Sequence, residues 1–296
     1  MSVKPPSTSE FARIVSVMQR LLAPDGCPWD REQTLASLKR YAVEEAFEVC
    51  DAIDGLGDDA KRAITGAGEV TRRADDPAVA HHREELGDLL LQVVFQSELA
   101  RAFGWFGIGH VVHDICEKLE RRHPHVFGEE KVAGAEQVIQ NWAKLKADER
   151  KAKTGKAGSV LDGVPTAAPA LQRAERLTEK ASRIGFDWPD VSGAREKVDE
   201  ELKELDEAIA SKDRDAIEHE LGDVLFALAN VGRKVNCPPE DALRMTNKRF
   251  TSRFHFVEEK LQAAGIPFGE ATLKQMDLFW DEAKAAEKAA KAANRS

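Results

Sequence analysis

Apolar residues return every three or four positions along most of the chain, which is the pattern of amphipathic helices. In the first half this pattern predicts helices over residues 9–22, about 35–53, 80–102, 108–122 and about 135–152. In the second half it predicts helices over about 169–183, 193–210, 213–234, 239–264 and 271–292. Residues 57–80 carry several glycines and many charges, and they predict an inserted loop with one short helix. The predicted fold class is therefore all-α.

An acidic pattern occurs twice on these helices and indicates a duplicated domain. The stretch Val-Glu-Glu-Ala-Phe-Glu at 43–48 returns as Asp-Glu-Glu-Leu-Lys-Glu at 199–204, and Glu-Leu-Gly-Asp occurs at both 85–88 and 220–223. The first pair of motifs is 156 positions apart and the second 135, and the difference of 21 equals the extra length of the loop in the first half. We expect domains at 9–150 and 169–285, a linker at 151–168 and a tail at 286–296.

The repeated acidic residues include some that lie on the apolar stripe of their helix. Residues three or four apart share a helix face, which places Glu45 and Glu220 on the side expected to face the core. Carboxylates there are costly unless paired, and four of them repel one another unless a cation lies between. All-oxygen ligation favours Mg²⁺, or Mn²⁺, over zinc or iron. The candidate metal ligands are Glu45, Glu48, Glu85 and Asp88 in the first half and Glu201, Glu204, Glu220 and Asp223 in the second.

Two other interpretations of these acidic residues stay open at this point. Glu-rich runs are usually the solvated faces of charged helices, because such residues are seldom buried. A di-iron bundle would need two Glu-x-x-His motifs, and the chain has only one, Glu120 to His123. The di-iron interpretation is therefore the weaker of the two.

Mg²⁺ held by carboxylates usually acts on phosphates, so cationic side chains should accompany the acidic motifs. Such residues recur in register with those motifs in both halves. The candidate substrate-binding residues are Lys118, Arg122, Trp142 and Lys146 in the first half and Asn247, Arg249, Arg253, Trp280 and Lys284 in the second. The alternative is a basic helix face with packed tryptophans. Trp188 or Trp280 would either stack on a base or pack in the core.

Composition narrows the class of protein. The chain has 296 residues, 32% charged and 6% aromatic, which suits a helix-rich protein of two domains. The formal charge of −9 argues against a general nucleic-acid binder. Four scattered cysteines without a CxxC pair do not indicate a zinc knuckle or a disulfide framework. The start carries no apolar signal core and no run reaches the length of a membrane span, so we expect a cytoplasmic protein.

Several stretches together give the chain a resemblance to a known family. They are Gly-Cys-Pro-Trp-Asp at 26–30, Glu-Leu-Gly-Asp-Leu-Leu at 85–90, Arg-Arg-His-Pro-His-Val-Phe at 121–127 and Gly-Phe-Asp-Trp at 185–188, together with the acidic pattern of both halves. Over nearly all of residues 10–285 the sequence resembles the two-repeat MazG nucleoside triphosphate pyrophosphohydrolases. It departs from that family in the long loop at about 57–80 and in Thr251-Ser252, where the first half has Glu120-Arg121.

The resemblance implies two tandem helical bundles of the all-α NTP pyrophosphatase type. It implies the magnesium ligands given above, with Glu200 and Glu44 beside them as catalytic carboxylates. The reaction would be hydrolysis of a nucleoside triphosphate between the α and β phosphates, which yields a nucleoside monophosphate and pyrophosphate. Sites in this superfamily are commonly completed by a neighbouring subunit, so we expect a homodimer or a larger homo-oligomer.

The sequence leaves the function open in three respects. A non-catalytic helical module that senses nucleotides or binds a partner is the main alternative, and the intact carboxylates of both halves speak against it. The substrate is either a standard nucleotide, ribose or deoxyribose, or a damaged one. The compact spacing of its motifs favours the second half as the active one, but both halves carry the full acidic pattern.

Overall fold

The computed structural model describes residues 8–61, 63, 74–139, 141–142, 145, 149 and 158–293. These residues form helices joined by turns and loops, with no strand among them. The chain divides into two compact units, Met1–Lys146 and Ala147–Ser296, here called unit 1 and unit 2. The all-α prediction is confirmed.

Unit 1 is built around two long helices that pack against each other. Its helices are α1 (Thr8–Leu21), α2 (Pro28–Arg31), α3 (Leu38–Gly55), α4 (Pro77–Ala102), α5 (Ile108–Arg122) and α6 (Pro124–Phe127), with a 3₁₀ helix at Gly57–Lys61. Helix α4 packs on α3, α1 and α5. Further helical residues lie at 135–139 and 141–142.

The core of unit 1 lies where α1, α3 and α4 meet. Its buried side chains are Met18, Leu38, Val94 and Phe95, each no more than 3% exposed. Partly buried apolar residues, Tyr41 among them, surround this cluster. Large side chains therefore fill the space between the three helices.

Unit 2 repeats the long helix pair with a shorter connection. Its helices are α7 (Ala170–Ser182), α8 (Val191–Ser211), α9 (Arg214–Lys234), α10 (Pro239–Ala263) and α11 (Leu273–Ala293), with a 3₁₀ helix at Phe268–Glu270. Only Lys212 and Asp213 join α8 to α9. Lys212 adopts a left-handed conformation, φ 59°, and Asp213 caps α9 by accepting from the backbone N–H of Asp215 at 3.0 Å. Helix α9 packs on α8 and α7, and α10 packs on α11 and α7.

The helix boundaries lie close to those predicted, with informative differences. Helix α4 begins at Pro77, three residues before the predicted start, because Asp76 caps it by accepting from the N–H of Ala78 at 2.9 Å. Helix α11 ends at Ala293, one residue beyond the predicted end at 292. Parts of the predicted loop (62, 64–73), of the helix at 135–152 and of the linker (151–157) lie outside the described residues. The domain boundaries themselves stay predictions.

None of the described helices combines the length and the apolar character that a membrane span needs.

Candidate metal centre and adjoining pocket

Three carboxylates of unit 2 meet between α8 and α9. Glu201 and Glu204 project from α8 and Glu220 from α9, and one oxygen of each lies within 4.8 Å of the others. Two ligands of one Mg²⁺ or Ca²⁺ ion lie no more than about 4 to 5 Å apart, since each sits about 2.1 to 2.5 Å from it. The Glu201 cluster, as we call these three residues, therefore fits a hard divalent cation with small adjustments.

Asp223 lies next to this cluster in a second acidic group. Asp223 lies close to Glu220 and His219. The Nδ1 atom of His219 is 3.2 Å from Asp223 and 3.4 Å from Glu220. The sequence prediction did not include His219. Its position four residues before Asp223 on the same helix is the signal that points to this contact.

Lys197 is the second residue that the sequence prediction missed. Its Nζ lies 2.6 Å from Glu201, which is only 5% exposed, and 2.9 Å from Glu200. Hydrogen bonds to these two carboxylates raise the pKa of Lys197. The candidate catalytic residue Glu200 is thus the ion-pair partner of a lysine.

The electrostatics of the Glu201 cluster favour a bound cation. The pKa of Glu204 is raised by its partial removal from water and then by the negative charges of Glu201 and Glu220, against the opposing effect of Lys197. A carboxylate whose proton is retained by neighbouring negative charge ionises more readily once a cation enters.

Unit 1 holds an equivalent group, the Glu45 cluster, between α3 and α4. One oxygen of each of Glu45, Glu48 and Glu85 lies within 4.8 Å of the others. Burial, a hydrogen bond to Glu48 and the charges of Asp88, Glu48 and Glu85 raise the pKa of Glu45. His81 Nδ1 lies 3.2 Å from Glu85, while Glu44, the other candidate catalytic residue, is exposed. Three of the four predicted carboxylates of each unit are therefore brought together, and the fourth of unit 1, Asp88, acts on Glu45 through its charge.

The predicted cationic residues of unit 2 lie on α10 and α11. Arg253 pairs with Glu287 at 2.8 Å, and its guanidinium carbon is 5.6 Å from the Trp280 ring centre. Lys284 pairs with Asp281 at 3.1 Å. The first pair joins α10 to α11 and the second lies within α11, and both use acidic partners other than the carboxylates of α8 and α9.

Two more predicted residues of unit 2, Asn247 and Arg249, lie on α10. Arg249 donates to Thr246 Oγ1 at 2.7 Å, and Asn247 is exposed. A groove of about 650 Å³ runs beside Arg253 between α10 and α11. The structure therefore gathers the cationic set on one helix pair and the acidic set on another.

The corresponding residues of unit 1 are only partly described. Lys118 and Arg122 are half-buried on α5. Trp142 Nε1 donates to the carbonyl of Arg122 at 2.8 Å, and its ring centre is 5.0 Å from that of His123. These contacts give Trp142 a packing role, and Lys146 lies outside the described residues.

A pocket of about 440 Å³ adjoins the carboxylates of unit 2. Apolar side chains, three of them aromatic, form most of its wall, and charged or polar groups border it at two places. We call it the unit 2 pocket; it is lined by Leu161, Leu177, Thr178, Ala181, Phe186, Asp187, Trp188, Ala194, Lys197, Glu201, Asp223, Phe226, Ala227, Asn230 and Arg233. Such a wall suits a flat, partly apolar ligand with polar edges.

An ion-pair network supports one wall of this pocket. Arg233 donates two hydrogen bonds to Asp187, at 2.7 and 3.1 Å, and its Nε donates to Asn230 Oδ1 at 2.8 Å. Lys234 also pairs with Asp187, at 2.9 Å, and it donates to the carbonyl of Trp188. These cations, Arg233 first, hold the pKa of Asp187 below its usual range. The network fixes the loop that carries Trp188 onto the end of α9.

Comparison with known proteins connects this arrangement to a family. The MazG nucleotide pyrophosphohydrolase domain matches residues 33–127 and 192–253, which include both acidic clusters. The nucleoside triphosphate pyrophosphohydrolase/pyrophosphatase MazG of Thermotoga maritima is 41% identical over 275 residues, 93% of this chain and 95% of that protein. The nucleoside triphosphate pyrophosphohydrolase of Escherichia coli K12 is 36% identical over 281 residues, 93% of this chain and 97% of that protein. The chain therefore belongs to the MazG family.

Proposed function

We propose that this chain hydrolyses nucleoside triphosphates to nucleoside monophosphates and pyrophosphate, with Mg²⁺ held by the carboxylates of unit 2. The observation that carries this proposal is the position of the Glu201 cluster at the edge of a pocket lined by aromatic side chains. The named activities of the relatives in Thermotoga maritima and Escherichia coli support it.

Each group of residues has a part in this reaction. Glu201, Glu204 and Glu220 would hold the cation, with Asp223 beside them. A bound Mg²⁺ supplies an acidified water and neutralises charge on the phosphates. Glu200, which pairs with Lys197 at 2.9 Å, is the candidate to accept a proton from an attacking water. The cations of α10 and α11, Arg249, Arg253 and Lys284, are the candidates for stabilising charge on the triphosphate.

Unit 2 rather than unit 1 is the proposed site of nucleotide hydrolysis. The motif spacing that aligns Glu45 with Glu201 also aligns Leu38 with Ala194. The spacing that aligns Glu85 with Glu220 also aligns Phe95 with Asn230. Leu38 and Phe95 are 1% and 3% exposed in the packed core of unit 1, whereas their counterparts line the unit 2 pocket. Large core side chains thus occupy in unit 1 the positions that border a nucleoside-sized space in unit 2.

The direct test is product analysis. The purified protein is incubated with each NTP and dNTP, with Mg²⁺ or with EDTA, and the products are separated by chromatography. Magnesium-dependent release of monophosphate and pyrophosphate is expected. Diphosphate and inorganic phosphate would mean that a different bond is broken. A folded protein that binds Mg²⁺ and turns over no nucleotide would instead be the non-catalytic nucleotide sensor.

A matched pair of variants tests which unit acts. Glu204→Gln and Glu48→Gln each replace one carboxylate by a neutral side chain of the same size, at equivalent positions of the two units. We expect Glu204→Gln to abolish hydrolysis and Glu48→Gln to leave most of it. Equal partial losses in the two variants would show that both units turn over.

Several finer points of the prediction belong to this proposal as well. Mn²⁺ should replace Mg²⁺, because both are hard cations that accept oxygen ligands. The assembly as a homodimer or larger oligomer, the cytoplasmic location, the lack of nucleic-acid binding and the choice among standard and damaged nucleotides stay predictions.

A further inference from the structure

Asn230 is a polar residue in the wall of the unit 2 pocket that the proposed hydrolysis does not use. It is 6% exposed and lies near the end of α9. Its Oδ1 accepts a hydrogen bond from Arg233 Nε at 2.8 Å. Since Nε of arginine carries only a donor, the amide oxygen must face Arg233 and the amide NH₂ must point away from it.

Arg233 cannot easily release this oxygen. Its other two nitrogens bond to the two oxygens of Asp187 at 2.7 and 3.1 Å, and the side chains of Arg233 and Asp187 are 14% and 21% exposed. A bidentate pair of this kind fixes the plane of the guanidinium group. The orientation of the Asn230 amide is therefore set by a neighbour that is itself held at two points.

The distance from the carboxylates to Asn230 matches the size of a nucleotide. Asn230 follows Asp223 by seven residues on α9, which is two helical turns and about 10 Å along the same face. Asp223 and Glu201 border the pocket at one place, and Asn230 with Arg233 border it at another. If the phosphates of a nucleotide lie near the carboxylates, its base lies between Trp188 and Phe226, with the polar edge of the base toward Asn230.

We propose that Asn230 is a specificity-determining residue that donates a hydrogen bond to an exocyclic oxygen of the base, with Arg233 as its positioning residue. An asparagine with both ends free pairs bidentately with an amino base, accepting from the amino group and donating to a ring nitrogen. The Asn230 oxygen already accepts a hydrogen bond from Arg233, so it is not free to accept one from an amino group of the base. The site thus favours bases with an oxygen in the 6-position of a purine or the 4-position of a pyrimidine. This inference rests on the proposed function.

The test compares nucleotides that differ at this one edge. The value of kcat/KM is measured with the intact protein and Mg²⁺ for ITP against ATP and for UTP against CTP. We expect a preference of about tenfold for ITP and UTP. These two nucleotides form the hydrogen bond with Asn230, whereas ATP and CTP leave the amide of Asn230 unpaired. Equal rates, or a preference for ATP and CTP, would overturn the proposal. No hydrolysis of any of the four would refute the proposed function instead.

Two variants then assign the preference to Asn230. Asn230→Asp keeps the acceptor for Arg233 and presents an oxygen to the pocket, so the preference should reverse toward ATP and CTP. Asn230→Leu has a similar volume and no polar edge, so each ratio should approach one. Asn236→Asp makes the same chemical change at an exposed position outside the pocket and should keep the wild-type ratios.

These ratios separate recognition from folding. A variant that is merely less stable loses activity toward all four nucleotides together and leaves the ratios unchanged, and that result would overturn the assignment to Asn230. If neither variant folds, the wild-type ratios alone decide whether the pocket selects an exocyclic oxygen.

Discussion

Lys197 compensates the negative charge at the centre of unit 2. Its ammonium group lies 2.6 Å from Glu201 and 2.9 Å from Glu200, where it competes with any divalent cation for Glu201. Lys197→Met should lower the melting temperature of the protein in EDTA, because the carboxylates then repel one another. The same variant should bind Mg²⁺ more tightly and gain a larger rise in melting temperature from it.

Calorimetric titration with Mg²⁺ and melting curves in EDTA measure both effects of the Lys197 change. Lys203→Met is the control, since Lys203 pairs only loosely with Glu207, at 3.8 Å, on the exposed side of α8. Weaker Mg²⁺ binding by Lys197→Met would show that the lysine supports the cation site rather than competing for it.

Asp187 contributes to stability through its pairs with Arg233 and Lys234. Its side chain is 21% exposed and those of the two cations are 14% and 11%, so Asp187→Ala leaves two poorly solvated positive charges without a counter-charge. We expect a loss of about 2 kcal/mol in the free energy of unfolding, measured by urea denaturation at pH 7. Asp190→Ala removes the cap of α8, where Asp190 accepts from the N–H of Ser192 at 2.8 Å, and leaves these ion pairs in place, so it should cost less.

The same carboxylate gives the stability a defined pH dependence. The folded protein lowers the pKa of Asp187 from its ordinary value of 3.8, so the stabilisation is complete above about pH 4 and is lost as the pH falls through the folded pKa. Between pH 4 and pH 2, wild-type stability should fall more steeply than that of Asp187→Asn. Parallel curves would contradict the assigned ion pair.

At the residue scale, the sequence predicted the acidic clusters but not what surrounds them. Repetition and helical spacing were enough for Glu201, Glu204 and Glu220. Lys197 could have been found by the same spacing, because it precedes Glu201 by one turn. The pair of Asp187 with Arg233 joins residues 46 apart in the sequence, and no helical period relates a loop to a distant helix. Asn230 was hidden for a similar reason, because its role depends on that pair.

Among the elements, the α8–α9 hairpin sets the distance between the carboxylates. Its two-residue connection allows little freedom, whereas α3 and α4 are joined by residues 56–76. The start of α8 is held against the loop before it by close packing, because Gly193 lies under the Trp188 ring. A side chain at 193 would bring its Cβ within 2.7 Å of Trp188 Cγ.

The close packing at Gly193 leads to an element-scale prediction with a matched control. Gly193→Ala should displace the indole from the unit 2 pocket, destabilise the protein by about 1 to 3 kcal/mol and raise KM for nucleotides. Gly222→Ala, at a helical position with open space around the added Cβ, should stabilise it by about 0.5 to 1 kcal/mol. Urea denaturation and steady-state kinetics measure the two variants. A stabilising Gly193→Ala would show that Trp188 is free to move.

The helix boundaries show where a local capping signal places a helix end that periodicity alone does not. Periodicity located the long helices to within about three residues. The start of α4 was placed too late because the Asp76 cap and the proline at the first helical position were passed over in a glycine-rich stretch. The end of α11 was predicted to within one residue, because the alanine and lysine residues there favour continuation of the helix.

Across the whole molecule, duplication preserved the carboxylates and changed the space beside them. The same acidic cluster lies in each unit, so a repeat in the sequence was sufficient to predict both. Whether a pocket adjoins the cluster depends on side-chain volume at a few core positions, such as Phe95 in unit 1 and Asn230 in unit 2. Those differences between the units can be read from the sequence. Their effect on the pocket could not be predicted, because it depends on how α1, α3 and α4 pack.

Both units also expose an apolar stripe on the second helix of the pair, and this stripe bears on the predicted oligomer. Leu221, Leu225 and Leu228 are 45–48% exposed on α9. The equivalent residues of α4, Leu86, Leu90 and Val93, are 37–46% exposed. Isolated exposed leucines are common, but aligned rows retained in both repeats are typical of association surfaces.

The stripe makes the predicted homodimer testable at defined positions. Sedimentation equilibrium should give about twice the chain mass for the wild type, and Leu225→Glu should shift the protein toward monomer, because a charge in an apolar interface loses its hydration. Leu273→Glu, at a strongly exposed position on α11, is the control and should leave the mass unchanged. A wild type that is monomeric at all concentrations would refute the dimer. A dimer insensitive to Leu225→Glu would place the interface elsewhere, since a charged side chain at the centre of a shared leucine row could not be accommodated without weakening it.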